Sequence, residues 1–289
     1  MIITRHISAA SSGSRLIFAA LLLAASLSGC ASFKEVRTFA SLSANAATYD
    51  ALTRDYIGAL DRRKQYQPQK FHGDLETMKM RREAQRASLD LLQQTVTNYM
   101  QGLGSLASGD IRTFDRSLDN LSSSLSDATL LDRSEKEAVG ALSTLLARTT
   151  TTLYRQHEMK QLIRDGNQPL QDVIAATRKI VKRGIVADLQ TESALAGRYY
   201  DNFMLAPDNP VEPVAMALAK EARVEALARV DNRIRGAQRY DTVLDEIAAG
   251  HQYLYDHRDR IGQDDFGRQF KPAVDELRAA YRSLLDVSR

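Results

Sequence analysis

A chain of 289 residues with 44% hydrophobic and 26% charged residues has the apolar content of a folded globular protein, which excludes extended disorder. Its 15 Gly and 6 Pro are too few to close a turn every ten residues, which excludes a typical all-β architecture. With no Trp and 7% aromatics, the core must be built from Leu, Ala, Val and Ile. The net charge of +3 becomes +1 when Arg5 and Arg15 are set aside with the leader, leaving 37 basic against 36 acidic residues. A body so close to neutral has no electrostatic reason to bind nucleic acid.

In chain order, residues 1–29 come first. Arg5, His6 and Arg15 make a positive start without acidic residues, and Leu16 to Ala25 form an apolar run. That run has the length of a signal-peptide core and about half the length of a membrane span. Leu27-Ser28-Gly29-Cys30 follows, and this tetrapeptide resembles the lipobox of bacterial lipoprotein precursors. The resemblance implies that the Cys30 thiol receives a diacylglycerol, that the chain is cut before Cys30, and that the new amino group is acylated. Ala31 in place of Asp at the next position resembles the set sorted to the outer membrane, on its periplasmic face. Cys30 is the only cysteine, so the body has no thiol to oxidise in a disulfide-forming compartment. At roughly 0.8 kcal/mol per buried methylene, two or more acyl chains give stable anchoring.

The body reads as helix throughout. Val36, Phe39, Leu42, Ala46, Tyr49, Thr53, Tyr56 and Leu60 recur at three- and four-residue steps, predicting one helix that ends in the turn around Pro68. A second helix is expected from Asp74, through Leu89, Val96 and Tyr99, weakening at Gly102, Gly104 and Gly109. Asp110 then looks like the N-cap of a short helix carrying Ile111, Phe114, Leu118 and Leu125. Ser134-Glu135-Lys136-Glu137 reads as a capping box opening a helix that closes at Asp165-Gly166-Asn167. Pro169 suits the first turn of the next helix, to about Phe203. Three prolines between Pro207 and Pro213 make the clearest break. Beyond it one very long helix, or two with a kink near Gly250, precedes a last helix from Asp264-Asp265. No alternating β-branched run and no internal repeat is present. The expectation is an all-α, elongated antiparallel bundle of six or seven long helices with coiled-coil-like packing. Residues 30–205 would form its N-terminal part, 206–213 the break, and 214–289 long helices on the same bundle.

Catalytic patterns are missing. His72, His157, His251 and His257 lack the Glu-x-x-His and His-Glu-x-x-His spacings of metal sites, and no cysteine ligand remains. They read as solvent-facing or capping, with no metal and no cofactor beyond the acyl chains on Cys30. Gly102-Leu103-Gly104-Ser105-Leu106-Ala107 fits a dinucleotide-binding string but follows a helical pattern, not a strand. Arg62, Arg63 and Lys64, with Lys70, Lys79, Arg81 and Arg82 nearby, form a candidate basic contact patch for lipid headgroups or the glycan wall. Arg223, Arg229, Arg233, Arg235 and Arg239 are interleaved with Glu221, Glu225 and Asp231, as on a solvated helix face with local ion pairs. Tyr199-Tyr200 read as half-buried packing residues. The functional expectation is a non-enzymatic, lipid-anchored periplasmic protein: a scaffold, adaptor or partner-binding subunit attached to the membrane and to an envelope protein partner. The alternatives are a small-ligand-binding bundle, with a pocket lined by tyrosines and histidines, and an immunity lipoprotein against an imported toxin.

Overall fold

The computed structural model describes residues 33–109, 131–148, 155–205 and 212–287, and among these every regular element is a helix. The leader, the lipobox at Leu27-Ser28-Gly29-Cys30 and the short helix expected after Asp110 lie outside the described residues. In chain order the helices are α1 (33–47), α2 (Asp50–Lys64), α3 (His72–Ser108), α4 (Arg133–Arg148), α5 (Arg155–Lys179), α6 (Ala187–Met204), α7 (Pro213–Asp256) and α8 (Phe266–Val287). The all-α bundle expected from the periodicity is what forms.

Three boundaries differ from expectation, each for a physical reason. The first helix is two, because the backbone leaves helical geometry at Thr48 and Tyr49; Tyr49 turns its ring onto Tyr240, with centroids 5.3 Å apart. The capping box is shifted: Asp132, not Ser134, is the cap. Its carboxylate accepts from the Glu135 N–H at 2.9 Å, while the Glu135 carboxylate accepts from the Asp132 N–H at 2.9 Å, the reciprocal arrangement that defines the motif. The break expected at 165–169 does not form, and Pro169 sits inside α5. Leu162, Ile163, Leu170 and Val173 are buried on both sides of it, and their burial offsets the roughly 3 kcal/mol that an interior proline costs. Beyond the proline-rich break, α7 runs 44 residues through Gly250, the single very long helix that is one of the two expected forms.

α5 continues through seven residues of π-helix, Ile180–Val186, into α6 without interruption. This run and α7 form an antiparallel spine. Gln156 reaches the Ile261 carbonyl at 2.5 Å, Gln171 the Ala248 carbonyl at 2.9 Å, Arg178 reaches Asp241 at 2.9 Å and Arg223 reaches Asp201 at 2.8 Å. α1 and α2 lie along the same track. Phe39 meets Phe270 at 5.3 Å between centroids, and a Cβ on Gly250 would stand 2.3 Å from the Phe39 ring, so glycine is what lets α1 approach α7. Asp55 lies 3.5 Å from Arg233. α3 runs alongside in the direction of α7: Gln93 faces Tyr240, and Tyr99 faces His251. One core cluster joins Val36 to Leu284 across all eight helices.

These contacts give the molecule two ends. The proximal end holds Phe33, the start of α5, the end of α7 and the start of α8. At the distal end the α2–α3 turn comes first, and beyond it α6 and α7 continue as a pair. Between the levels of Pro213 and Asp256, α7 spans about 66 Å at 1.5 Å per residue.

Candidate interaction surface

Past Ala196 on α6, and before Ala226 on α7, no described residue is fully buried. These stretches form a two-helix arm about 20 Å long, from 13 residues of α7 at 1.5 Å each. Glu212 caps the start of α7 by accepting from the Val214 and Ala215 N–H groups, both at 3.2 Å, and Pro213 occupies the first helical position, where its missing N–H costs nothing. Arg223 of α7 holds Asp201 of α6 with Nε at 2.8 Å and Nη2 at 3.4 Å. Tyr66, just past α2, packs against Tyr199 and Tyr200 at 5.8 and 6.3 Å between centroids.

Ten large hydrophobic residues are exposed among the described residues, and nine belong to this end. Phe71, Met78 and Met80 follow the α2–α3 turn. Tyr199, Phe203 and Leu205 end α6, and Val214, Leu218 and Val224 begin α7. Such concentration makes this end the candidate contact surface, because scattered single exposures would need no account.

Periodicity explains why they are exposed. Ile185, Leu189, Glu192, Ala196, Tyr199 and Phe203 step by four and three along one stripe. The stripe is buried as far as Ala196, under α2. Past the α2–α3 turn nothing described covers it, so Tyr199 is 50% and Phe203 45% exposed. On α7 the outward face within the body is polar, with Asp231, Asn232, Arg235 and Gln238; along the arm the same face becomes Val214, Ala217, Leu218 and Val224.

At the base of the arm an ion-pair knot ties four helices together. Arg62 of α2 grips Glu192 of α6 with two hydrogen bonds, at 2.7 and 3.0 Å. Arg63 donates to the Asp188 carboxylate and, at 2.9 Å, to the Asp188 carbonyl. Arg82 of α3 donates to Asp188 and to the Tyr56 carbonyl, both at 2.7 Å, and stacks over the Tyr56 ring at 4.7 Å. Arg233 of α7 lies 3.5 Å from Asp55 and 3.9 Å from Glu192. Glu192 is 1% exposed. Burial pushes the Arg63 guanidinium below its usual range, with Asp188 opposing the shift, and burial raises the Tyr56 phenol.

The knot changes the reading of the basic patch. Arg63 is buried, Arg62 is committed to Glu192, and Lys64 pairs with Asp61 and Glu76. The three do not form a patch of free cations at the surface, because neighbouring carboxylates from α2, α3 and α6 claim them. In the late arginine series, Arg229 and Arg235 pair locally with Glu225 and Asp231 as expected, whereas Arg223 and Arg233 reach across to other helices.

Three histidines are partly exposed or capping: His72 contacts the Gln67 carbonyl, His157 contacts Gln161 and His257 stacks on Tyr253. His251 departs from expectation, being fully buried in a directed hydrogen-bond chain. The exposed Asp256 carboxylate can only accept, so Gln252 donates its amide to it at 2.9 Å. The Gln252 carbonyl oxygen then accepts from Asn167 at 2.8 Å, and the Asn167 oxygen accepts from His251 Nδ1 at 2.9 Å. Nε2 faces the Tyr99 hydroxyl at 2.8 Å, whose single proton is shared between that nitrogen and the Leu162 carbonyl at 3.0 Å. Loss of hydration pushes the His251 pKa down to about 3, so the ring stays neutral, and pushes the Tyr99 phenol upward. Gly166 belongs to the same arrangement, since a Cβ there would meet the Tyr99 hydroxyl at 2.5 Å. The Gly102-to-Ala107 string lies inside α3.

A concavity of about 860 Å³ opens between α2 and α3. Thr53, Asp61, Lys79, Asp90 and Asn98 are among its lining residues, and the Asn98 Nδ2 is buried without a hydrogen-bond partner. The tyrosines and histidine expected to line a pocket do not line this one: Tyr99, Tyr240 and His251 bond one another's neighbourhoods inside the core. Among the described residues no cluster of three or more His, Cys, Asp or Glu is placed to hold a metal, and no helix is long and apolar enough to cross a membrane. Compared with protein-family models, curated proteins and solved structures, the chain matches none.

Proposed function

We propose that the chain is a lipid-anchored envelope protein, tethered through Cys30 to the periplasmic face of the outer membrane, that works as a non-enzymatic scaffold or adaptor by presenting its distal arm to a protein partner. One observation carries the reading: the molecule is polar along its axis. Phe33, three residues after Cys30, lies at the proximal end, within about 10 Å of chain from the acylated residue. The apolar arm lies at the other end, roughly 60 Å away along α7. An anchor at one end and an apolar surface at the other is the layout of a tether. The ion-pair knot fits this role, because crosslinking α2, α3, α6 and α7 fixes the arm's direction relative to the body.

The anchoring is tested by growing cells with an alkyne-bearing fatty acid and fractionating the membranes. Wild-type protein is expected to be labelled and membrane-bound, and Cys30→Ser unlabelled and unprocessed. An unlabelled wild type overturns the anchor. A second reading, a small-ligand-binding protein, draws on the α2–α3 groove and the unpartnered Asn98 amide. Ligand-dependent thermal shifts that disappear in Asn98→Leu would favour it.

A further inference from the structure

The groove between α2 and α3 involves neither the anchor nor the arm, and its side chains narrow the class of ligand that the small-ligand reading requires. On the α3 wall, Asp90, Gln94 and Asn98 are four residues apart, so they rise along one face at steps of about 6 Å. Asp90 is claimed by the Thr53 hydroxyl at 3.1 Å and by Arg86 at 3.6 Å. Gln94 is exposed, and its amide has no partner among the described residues. The Asn98 Nδ2 is buried without one. Arg54 of α2 lines the groove at the level of Asp90, because Thr53 beside it bonds Asp90. Its side chain is exposed, with no ion pair or hydrogen bond among the described residues. Here two guanidiniums, Arg54 and Arg86, face one carboxylate. At the other end the charges satisfy one another: Asp61 is held by Lys64 and Lys79, and Lys79 also lies 3.9 Å from Glu83.

These groups select the ligand. Among the described residues no aromatic ring lines the groove, so a sugar ring has no face to stack on, and Ile57 alone offers a large aliphatic side chain. One unclaimed cation is too few for a polyphosphate. Two carboxamides in a row, each able to donate and accept, suit a ligand with amide groups at a regular step. An extended peptide repeats every two residues, at about 6.6 Å, close to the step between Gln94 and Asn98.

We propose that the groove binds a short extended peptide with a free C-terminal carboxylate, the carboxylate on Arg54 and the backbone amides on Gln94 and Asn98. A guanidinium matches a carboxylate with two parallel hydrogen bonds. From the level of Asp90 to Asn98 is eight residues of α3, about 12 Å, which three or four extended residues span. The Asn98 amide turns about a soft terminal torsion, so an acceptor in the groove draws out a donor that is otherwise unpaired. The inference rests on the small-ligand reading of this groove.

The test titrates the full-length chain, in detergent if it is isolated from membranes, with acetyl-Ala-Ala-Ala, its C-terminal amide and acetate, followed by saturation-transfer NMR of the added solute. The free acid is expected to bind saturably, the amide about tenfold more weakly, and acetate not at all over the same range. Arg54→Gln, at an exposed position, is expected to erase the preference for acid over amide with helicity unchanged. Asn98→Leu should weaken both peptides, and Glu83→Gln neither. No binding of the acid overturns the proposal, as do equal binding of acid and amide by the unaltered chain, acetate binding as well as the peptide, or a loss in Glu83→Gln without one in Asn98→Leu. If the acid fails to bind while another solute gives a thermal shift that disappears in Asn98→Leu, the peptide is excluded and the small-ligand reading stands. Solutes that shift wild type and Asn98→Leu alike count against that reading itself.

Discussion

His251 makes a sharp test of the packing, because its neighbourhood fixes both its protonation and the pH dependence of stability. The ring is fully buried, and its folded pKa of about 3 compares with an ordinary value of 6.5. The unfolded chain therefore takes up a proton near pH 6.5 that the folded chain refuses until about pH 3. The stabilisation is complete above pH 6.5 and is lost as the pH falls toward 3, by roughly 1.4 kcal/mol per unit. At about pH 4.5, two units below the unfolded value, the loss from this one group is about 3 kcal/mol. His251→Gln removes the titration. At neutral pH the variant should be less stable by about 2 kcal/mol, since Tyr99 and Asn167 lose their partner inside the core. On acidification the difference between wild type and variant should shift by about 3 kcal/mol, closing the gap and leaving the variant the more stable by about 1 kcal/mol at pH 4.5, because carboxylate titrations are common to both and cancel. Urea unfolding followed by far-UV circular dichroism at several pH values from 7 to 4.5 measures this directly. Parallel stability profiles would refute the reasoning and mean that the buried ring is hydrated or protonated when folded.

Other expectations follow from the same contacts. Gly250→Val should destabilise the fold by about 2 kcal/mol or more, since the new side chain enters the space of the Phe39 ring; an unchanged melting temperature would mean that α1 does not pack there. Glu192→Ala leaves Arg62 with only its longer contact to Asp55, at 3.7 Å, and should cost about 2 kcal/mol, less than a fully buried pair because Arg62 and Arg233 are 21% and 29% exposed. Its partner substitution Lys64→Ala, at a solvent-screened pair, should leave stability unmoved. Asp132→Ala should lower helicity and cost about 1 kcal/mol by removing the α4 cap.

The architecture was legible in the sequence because apolar residues at three- and four-residue steps specify helices wherever they occur. Boundaries were less legible where tertiary contacts override local preference. Asp165-Gly166-Asn167 followed by Pro169 has the chemistry of a break, yet Gly166 is there to admit the Tyr99 ring and Asn167 to bond His251 and Gln252. Those partners lie 67 to 85 positions away along the chain, and no local pattern announces them. Conversely Thr48-Tyr49 looks continuous, and the helix breaks there because Tyr49 stacks on Tyr240. Arg62-Arg63-Lys64 reads as surface charge until the fold brings Asp188 and Glu192 against it. The arm was partly visible: the stripe from Ile185 to Phe203 is regular in the sequence. That α2 ends before the stripe does follows only from the turn at Gln65 to Phe71 being set beside Tyr199.

Site-specific photo-crosslinking in living cells tests the central claim most directly, with the crosslinker placed at Leu218 on the arm and, in a separate strain, at exposed Gln269 near the proximal end. The account predicts discrete protein adducts from Leu218 in the membrane fraction, and none from Gln269. Adducts from Gln269 with a bare arm at Leu218 would contradict it, because the working surface would then lie at the proximal end.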